Sequence, residues 1–169
     1  LAFHIRDYQL EDRASCLAIL QDHIPDLFAP GECGAFADFL DGNDAPYFIV
    51  IETRGVLIAC GGVRLVSEPT IARLVWGIVD REYHRQGVGR LLLLARLNWL
   101  AQHQPHVRRV ELHTSQYVRP FFESAGFVVD TEAEHGYAPG LHRYDLHMDF
   151  DAARRAQVVQ QYHLIRPGG

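Results

Sequence analysis

From Tyr47 to Asp80 the chain reads as three consecutive strands, and from Arg90 it reads as a long apolar-faced helix. That change of period, made across one glycine-rich loop, restricts the architecture more than any other feature. Residues 47–52, 56–66 and 70–80 are separated by Thr53-Arg54-Gly55 and Ser67-Glu68-Pro69, turn sequences that predict an antiparallel meander. Cys60-Gly61-Gly62 interrupts the middle run and predicts a bulge or a close approach of backbone. Beyond the loop, a helix is predicted over 90–103, apolar at Leu91, Leu92, Leu94, Ala95, Leu97, Trp99 and Leu100. A strand over 107–114, a helix over 117–125, a strand opening at Gly126-Phe127 and a last strand over 144–150 follow. That alternation requires at least one parallel crossover.

The segment before the meander predicts a strand over 3–8 and two helices. The first carries Cys16, Leu17, Leu20 and Ile24 on one stripe and ends at Pro25; the second carries Phe36, Phe39 and Leu40 before a loop at 41–44. The expected fold is therefore α+β, with a mixed, largely antiparallel central sheet of about seven strands flanked by helices. Residues 151–165 form a helix-prone tail with no evident docking partner.

Composition removes several classes of function. Apolar residues make up 48% and charged residues 22%, which is the balance of a folded domain. A net charge of -5 without any Lys/Arg run argues against nucleic-acid binding. The longest apolar stretches, 47–51 and 91–95, are far too short to span a membrane. Cys16, Cys33 and Cys60 form no CxxC pair and read as free thiols in a reducing compartment. The start Leu1-Ala2-Phe3-His4-Ile5-Arg6 alternates like a strand, not like a secretory leader, so a cytoplasmic enzyme is the expected class. The histidines show no metal-binding spacing, and no metal site is expected.

Gly87-Val88-Gly89 stands between a strand and an amphipathic helix. Two glycines let backbone turn tightly and approach a ligand, and the unpaired amides opening the helix favour a phosphate group. Arg85 and Arg90 add charge beside it. The dinucleotide fingerprint requires a third glycine where Leu92 stands, and the nucleoside-triphosphate loop requires Gly-Lys-Ser/Thr where Gly89-Arg90-Leu91 stands. A simple turn cap is the remaining reading of the glycines by themselves.

The segment Val79-Asp80-Arg81-Glu82-Tyr83-His84-Arg85-Gln86-Gly87-Val88-Gly89-Arg90-Leu91-Leu92 resembles the central motif of the GCN5-related N-acetyltransferases, Gln/Arg-x-x-Gly-x-Gly/Ala, with His84 in the Gln/Arg position. Phe121-Phe122-Glu123-Ser124-Ala125-Gly126-Phe127 resembles that family's Phe-Tyr-Glu-Lys-x-Gly-Phe segment. The resemblance covers about residues 3–150. It implies one N-acetyltransferase domain over 1–150, with 151–169 an appended helical tail and a candidate homodimer element.

The resemblance also implies acetyl-CoA as donor, entering between splayed fourth and fifth strands. Ile78, Val79 and Asp80 are then expected along the pantetheine and thioester. Arg85, Gln86, Gly87, Val88, Gly89 and Arg90 are expected at the pyrophosphate, with Ser115 and Phe122 near the thiol end. Two of the family's proton-handling positions are changed: Phe122 replaces its acidic tyrosine, and Arg73 replaces an acidic residue of the fourth strand. Alternation on the fifth strand puts Arg109, Glu111 and His113 on one face, making Glu111 and His113 candidate bases and Tyr117 the nearest replacement acid. Glu111 also reads as an ion-pair partner of Arg109, and Trp76 as core or cleft wall. The acceptor, a primary amine of a small molecule or peptide, is expected between the first two helices and a late loop over 134–141, with Tyr137 and Tyr144 in reach. The alternative from another class is a non-catalytic acyl-CoA sensor.

Overall fold

The computed structural model describes residues 2–42 and 44–168. Leu1, Asn43 of the expected loop and Gly169 lie outside the described residues. The central sheet has seven strands in the order β1-β2-β3-β4-β5-β7-β6, where β1 is His4–Asp7, β2 Tyr47–Thr53, β3 Val56–Leu65, β4 Ile71–Val79, β5 Arg109–Thr114, β6 Val128–Ala138 and β7 Leu141–Asp149. Only β4 and β5 pair parallel. The helices are α1 (Arg13–Asp22), α2 (Glu32–Gly42), α3 (Val88–His103), α4 (Arg119–Ser124) and α5 (Ala152–Ile165).

Strand alternation explains the layering. In β2, Val50 packs with Cys16, Leu20, Phe36 and Phe39 of α1 and α2, while Ile49 and Ile51 pack with Leu91, Leu92 and Ala95 of α3 on the opposite face. Helices therefore cover both faces, and the order of the elements leaves β1 and β6 as edges. All three cysteines are free, Cys16 and Cys60 fully buried. No helix among the described residues is long and apolar enough to cross a membrane.

Several expected boundaries move. The first helix stops at Asp22, before Ile24 and Pro25, because the buried His23 turns its ring toward the end of β4. The third helix starts at Val88, since Gly87 takes up a left-handed conformation with φ 83° and serves as its N-cap. The bulge expected within β3 has its extra residue on β4. Register passes from Cys60–Ile78 to Gly62–Val75, with Trp76 at φ 51°. Gly61 and Gly62 instead mark close approaches, a Cβ on Gly62 falling 2.7 Å from the Tyr47 carbonyl oxygen. The late loop expected over 134–141 is the end of a β6–β7 hairpin. Ala138 pairs with Leu141 across Pro139 and Gly140, the latter at φ 78° as a type II turn requires.

The tail is docked. Asp151 accepts a hydrogen bond from the Arg154 amide and caps α5, Val158 is buried in the core, and Tyr162 and Ile165 pack against it. Arg155 donates to the carbonyls of Leu100, Ala101, Gln104 and Val107, which closes the C-terminus of α3, and lies 4.8 Å over the Phe150 ring. Arg155→Ala strips those carbonyls of their donor. It is expected to cost about 2 kcal/mol of stability and to lower Tm by roughly 4–8 °C, which a thermal melt reads directly.

Candidate functional site

β4 and β5 are paired only at Ile71–Arg109, Ala72–Val110 and Arg73–Glu111. Past Arg73 and Glu111 the ladder ends, although β4 continues to Val79 and β5 to Thr114. Backbone groups along both inner edges are thus left without a strand partner, and the two strands open a cleft. The β4 bulge at Trp76 and Gly77 lies on this open stretch. Trp76 stacks on Phe36 at 4.7 Å, so its indole belongs to the core wall.

The open end of β4 leads into the glycine loop. Arg85 at φ 61° and Gly87 at φ 83° alternate with Gln86, a conformation that gathers successive amides into an anion-binding concavity ahead of the positive end of α3. Gln86 Nε2 donates to the Glu82 carbonyl, and the Asp80 carboxylate accepts from the Glu82 amide, fixing the loop's approach. A Cβ on Gly89 would lie 3.7 Å from the Phe121 ring, an ordinary contact. Packing alone does not demand a glycine there; it keeps a gap open between α3 and α4.

His84, the departure from the motif, is exposed, but one of its ring nitrogens is engaged by the end of β4. Its Nε2 lies 2.9 Å from the Val79 carbonyl oxygen, and His23 Nε2 lies 2.7 Å from the same oxygen. The two rings stack at 5.2 Å. His23 is 1% exposed, and its Nδ1 has no partner among the described residues. Burial holds the His23 imidazole below its ordinary pKa, with His84 and Arg81 acting in the same direction. An unfolded chain protonates this histidine near pH 6.5, whereas the fold resists the proton. Stability from His23 is therefore complete above that pH and is lost as pH falls toward the lower folded value. Tm is expected to fall by roughly 2–4 °C between pH 7 and pH 5, with a shallower slope in His23→Gln.

Across the cleft, β5 presents Arg109, Glu111 and His113 on one face, as alternation requires, with Val110 and Leu112 buried behind. Glu111 is held by Arg109 at 2.8 Å and by Arg73 at 3.5 Å, so both carboxylate oxygens already face arginines. His113 Nδ1 lies 2.5 Å from the Tyr137 hydroxyl. Tyr137 arrives there through a wide bulge: between the pairs Ala133–Arg143 and Ala138–Leu141, β6 carries extra residues that β7 does not match. The His113 side chain keeps solvent access, yet partial desolvation depresses its pKa to about 4, with Arg143 and Arg73 helping, and burial raises that of the Tyr137 phenol. Glu32, at the start of α2, lies near enough for its charge to raise Tyr137 further. Glu32 is half-buried, accepts from the Ala29 amide at 2.6 Å, and is itself raised in pKa by burial.

The other expected residues sit as follows. Tyr117 is 62% exposed, and its hydroxyl makes no hydrogen bond among the described residues. Ser115 is buried, with its Oγ accepting from the Tyr117 amide. Phe122 packs edge-on against Phe127, and Ile78 is buried against α1 and α2. Tyr144 bonds Glu132 and lies under Arg119, away from the His113–Tyr137 pair. Sequence reasoning missed Glu32, which no motif or period in the sequence singles out. It also missed Arg96, whose 3%-exposed guanidinium lies under the bulge against Gly61 and Gly77. Burial lowers the Arg96 pKa to about 10, leaving a cation there at neutral pH. Among the described residues no cluster of three or more His, Cys, Asp or Glu is placed to hold a metal.

Residues 16–127 match the Acetyltransferase (GNAT) family. No curated protein sequence matches the chain. Similar solved structures include Ard1 from Thermoplasma volcanium, at 22% identity and a TM-score of 0.75, covering 89% of this chain and 99% of that one. The ribosomal-protein-S18-alanine N-acetyltransferase from Escherichia coli aligns at 20% identity and a TM-score of 0.71, over 87% and 93% of the two chains. The structure of yncA from Salmonella typhimurium with its cofactor acetyl-CoA aligns at 12% identity and a TM-score of 0.71, over 89% and 95%. At these identities the likeness is one of fold.

Proposed function

Because this chain belongs to the acetyltransferase (GNAT) family, whose donor is acetyl-CoA, we propose that it transfers the acetyl group directly to a primary amine of a small molecule or peptide. The observation that carries this reading is the parting of β4 and β5 beyond Arg73 and Glu111, directly above the amide-lined loop at Gly87. The loop residues Arg85 to Arg90 take the pyrophosphate. The acyl arm runs along Ile78, Val79 and Asp80, with Ser115 and Phe122 on the opposing side.

Attack on the thioester requires a neutral amine. The amine nitrogen forms the new C–N bond, the carbonyl oxygen carries negative charge in the tetrahedral state, and the C–S bond breaks to release the thiolate. Inner-edge amides of β4 stabilise that oxygen, and the buried Arg96 adds positive potential beneath the bulge. In the tautomer whose Nδ1–H donates to the Tyr137 hydroxyl, 2.5 Å away, His113 takes the amine proton at Nε2. Tyr117, exposed at the mouth, is the candidate donor to the departing thiolate. Glu111 serves to hold Arg73 and Arg109 on the cleft wall rather than as a base.

The acceptor lies between Glu32 and Tyr137, and the Glu32 carboxylate attracts its cationic form. The ribosomal-protein-S18-alanine N-acetyltransferase, by its name, acetylates a protein alanine, so a peptide amine is one of two acceptor classes in this reading. Release of free thiol from acetyl-CoA across a panel of small and peptide amines tests it. Turnover on at least one amine is expected, with Glu32→Gln raising the amine KM roughly tenfold through loss of one charged contact while CoA affinity stays unchanged. CoA binding without turnover on any acceptor would instead favour the sensor.

A further inference from the structure

Arg96, on the face of α3 that meets the sheet, is a buried cation without a counter-charge in the chain. Its guanidinium is 3% exposed, and its one hydrogen bond among the described residues runs from Nε to the Leu92 carbonyl of its own helix, at 3.3 Å. No carboxylate acts on it: the acidic groups near enough to do so are the Cys60 thiol and the Tyr47 phenol. The Cys16 thiol and burial push the first upward, and burial pushes the second up to about 12, so both are neutral at physiological pH. Arg6, Arg13 and Arg109, all more exposed, each sit on a carboxylate. Burying a guanidinium unpaired is costly, and the anion that would offset the cost has to come from outside the chain.

Two glycines make room for this side chain. Gly61 of β3 stands opposite the bulge Trp76-Gly77 of β4. A Cβ on Gly77 would fall 2.9 Å from the Arg96 Nη2, and one on Gly61 would fall 3.3 Å from Nη1. Both Nη groups therefore lie against bare backbone, beside the stretch of β4 that has parted from β5. We infer that Arg96 receives the carboxylate of a dicarboxylic acyl donor, so that the protein transfers a malonyl or succinyl group from CoA as well as an acetyl group. The inference rests on the donor path proposed above. From the Gly87 loop that path passes Asp80, Val79 and Ile78 in turn, which brings the acyl end to Gly77 and the guanidinium behind it. Two unbonded Nη groups in one plane match the two oxygens of a carboxylate, whereas an acetyl methyl leaves the charge uncompensated. The transfer itself is unchanged. The amine nitrogen forms the C–N bond, the C–S bond breaks, the amine proton ends on the released thiol, and the amide product keeps the free carboxylate.

Calorimetric titration with acetyl-, malonyl-, succinyl- and isovaleryl-CoA tests the inference, the last having the shape of a malonyl group without its charge. The wild type is expected to bind malonyl- or succinyl-CoA about tenfold more tightly than acetyl-CoA, the lower end of what a charge-assisted hydrogen bond contributes. Isovaleryl-CoA is expected to show no such gain. Arg96→Met should abolish the preference and Arg96→Lys retain part of it, with thermal melts establishing that each variant is folded. On an amine that turns over with acetyl-CoA, thiol release from the preferred dicarboxylic donor is expected to have the higher kcat/KM in the wild type, and the lower in Arg96→Met. Wild-type affinities no better for either dicarboxylic donor than for acetyl-CoA would overturn the inference whatever the variants do. So would an Arg96→Met variant weakened equally toward all four donors, or tight binding of a dicarboxylic donor without thiol release on that amine. Each of these leaves the loop assignment intact; failure of every donor to bind would overturn the loop assignment and the inference with it.

Discussion

His113→Ala is expected to lower kcat by roughly 10²- to 10³-fold, within the range of a lost general base, while leaving the Kd for CoA unchanged. The imidazole sits on the cleft face of β5 with its Nδ1 tied to Tyr137, so truncation removes the proton acceptor without touching the Gly87 loop. The pH dependence distinguishes this from a structural loss. With a pKa depressed to about 4, His113 is neutral throughout the physiological range. The wild-type kcat/KM profile should therefore show no inflection near pH 6.5 from this group and should rise with pH as the amine substrate loses its proton. Tyr137→Phe removes the partner that selects the tautomer and is expected to cost about tenfold in kcat, with the same profile. A His113→Ala enzyme retaining full turnover would assign amine deprotonation to solvent.

Gly87→Val is expected to weaken CoA binding by about 5- to 150-fold, the equivalent of 1–3 kcal/mol of backbone strain. Gly87 caps α3 at φ 83°, and a β-branched residue is strongly disfavoured there whatever the surrounding space. Nothing lies within 4 Å of a Cβ at this position, so the penalty is conformational and not steric. Relief of that strain rotates the amides that open α3 out of the concavity. The effect belongs to binding: CoA Kd rises and Tm shifts modestly, and at saturating acetyl-CoA kcat recovers. Gly89→Ala probes the neighbouring requirement, because its Cβ is sterically acceptable in the free protein and intrudes only on the gap beside Phe121.

Local features of the sequence carried the architecture. Alternation in the meander and the 3.6-residue stripe after Gly89 gave the element types and the face each apolar residue buries, because both signals arise within a few residues of chain. The loop proposed to take the donor was legible for the same reason, its glycines and following helix being contiguous. The splayed strands were implied by family likeness, and the register that ends at Arg73–Glu111 gave them a position. The partnership of Glu111 with Arg109 was legible too, since two residues of one strand face share a side by geometry alone.

The acceptor side of the site was decided only by the tertiary structure. Tyr137 meets His113 because unmatched residues in β6 shift its register against β7, and no local period encodes a bulge that one strand makes against another. The exposed His84 shares the Val79 carbonyl with His23, which the end of α1 delivers there. Glu32 and Arg96 acquire their electrostatic roles from burial, which depends on what the rest of the chain packs over them. Arg155 ties a tail of unremarkable composition to the end of α3, and Arg154 lies against Gly126 after α4. By itself the sequence determined the strands, the helices and the loop proposed to seat the donor. Long-range register and packing decided which side chains face one another across the cleft, because those pairings are set by elements far apart in the chain.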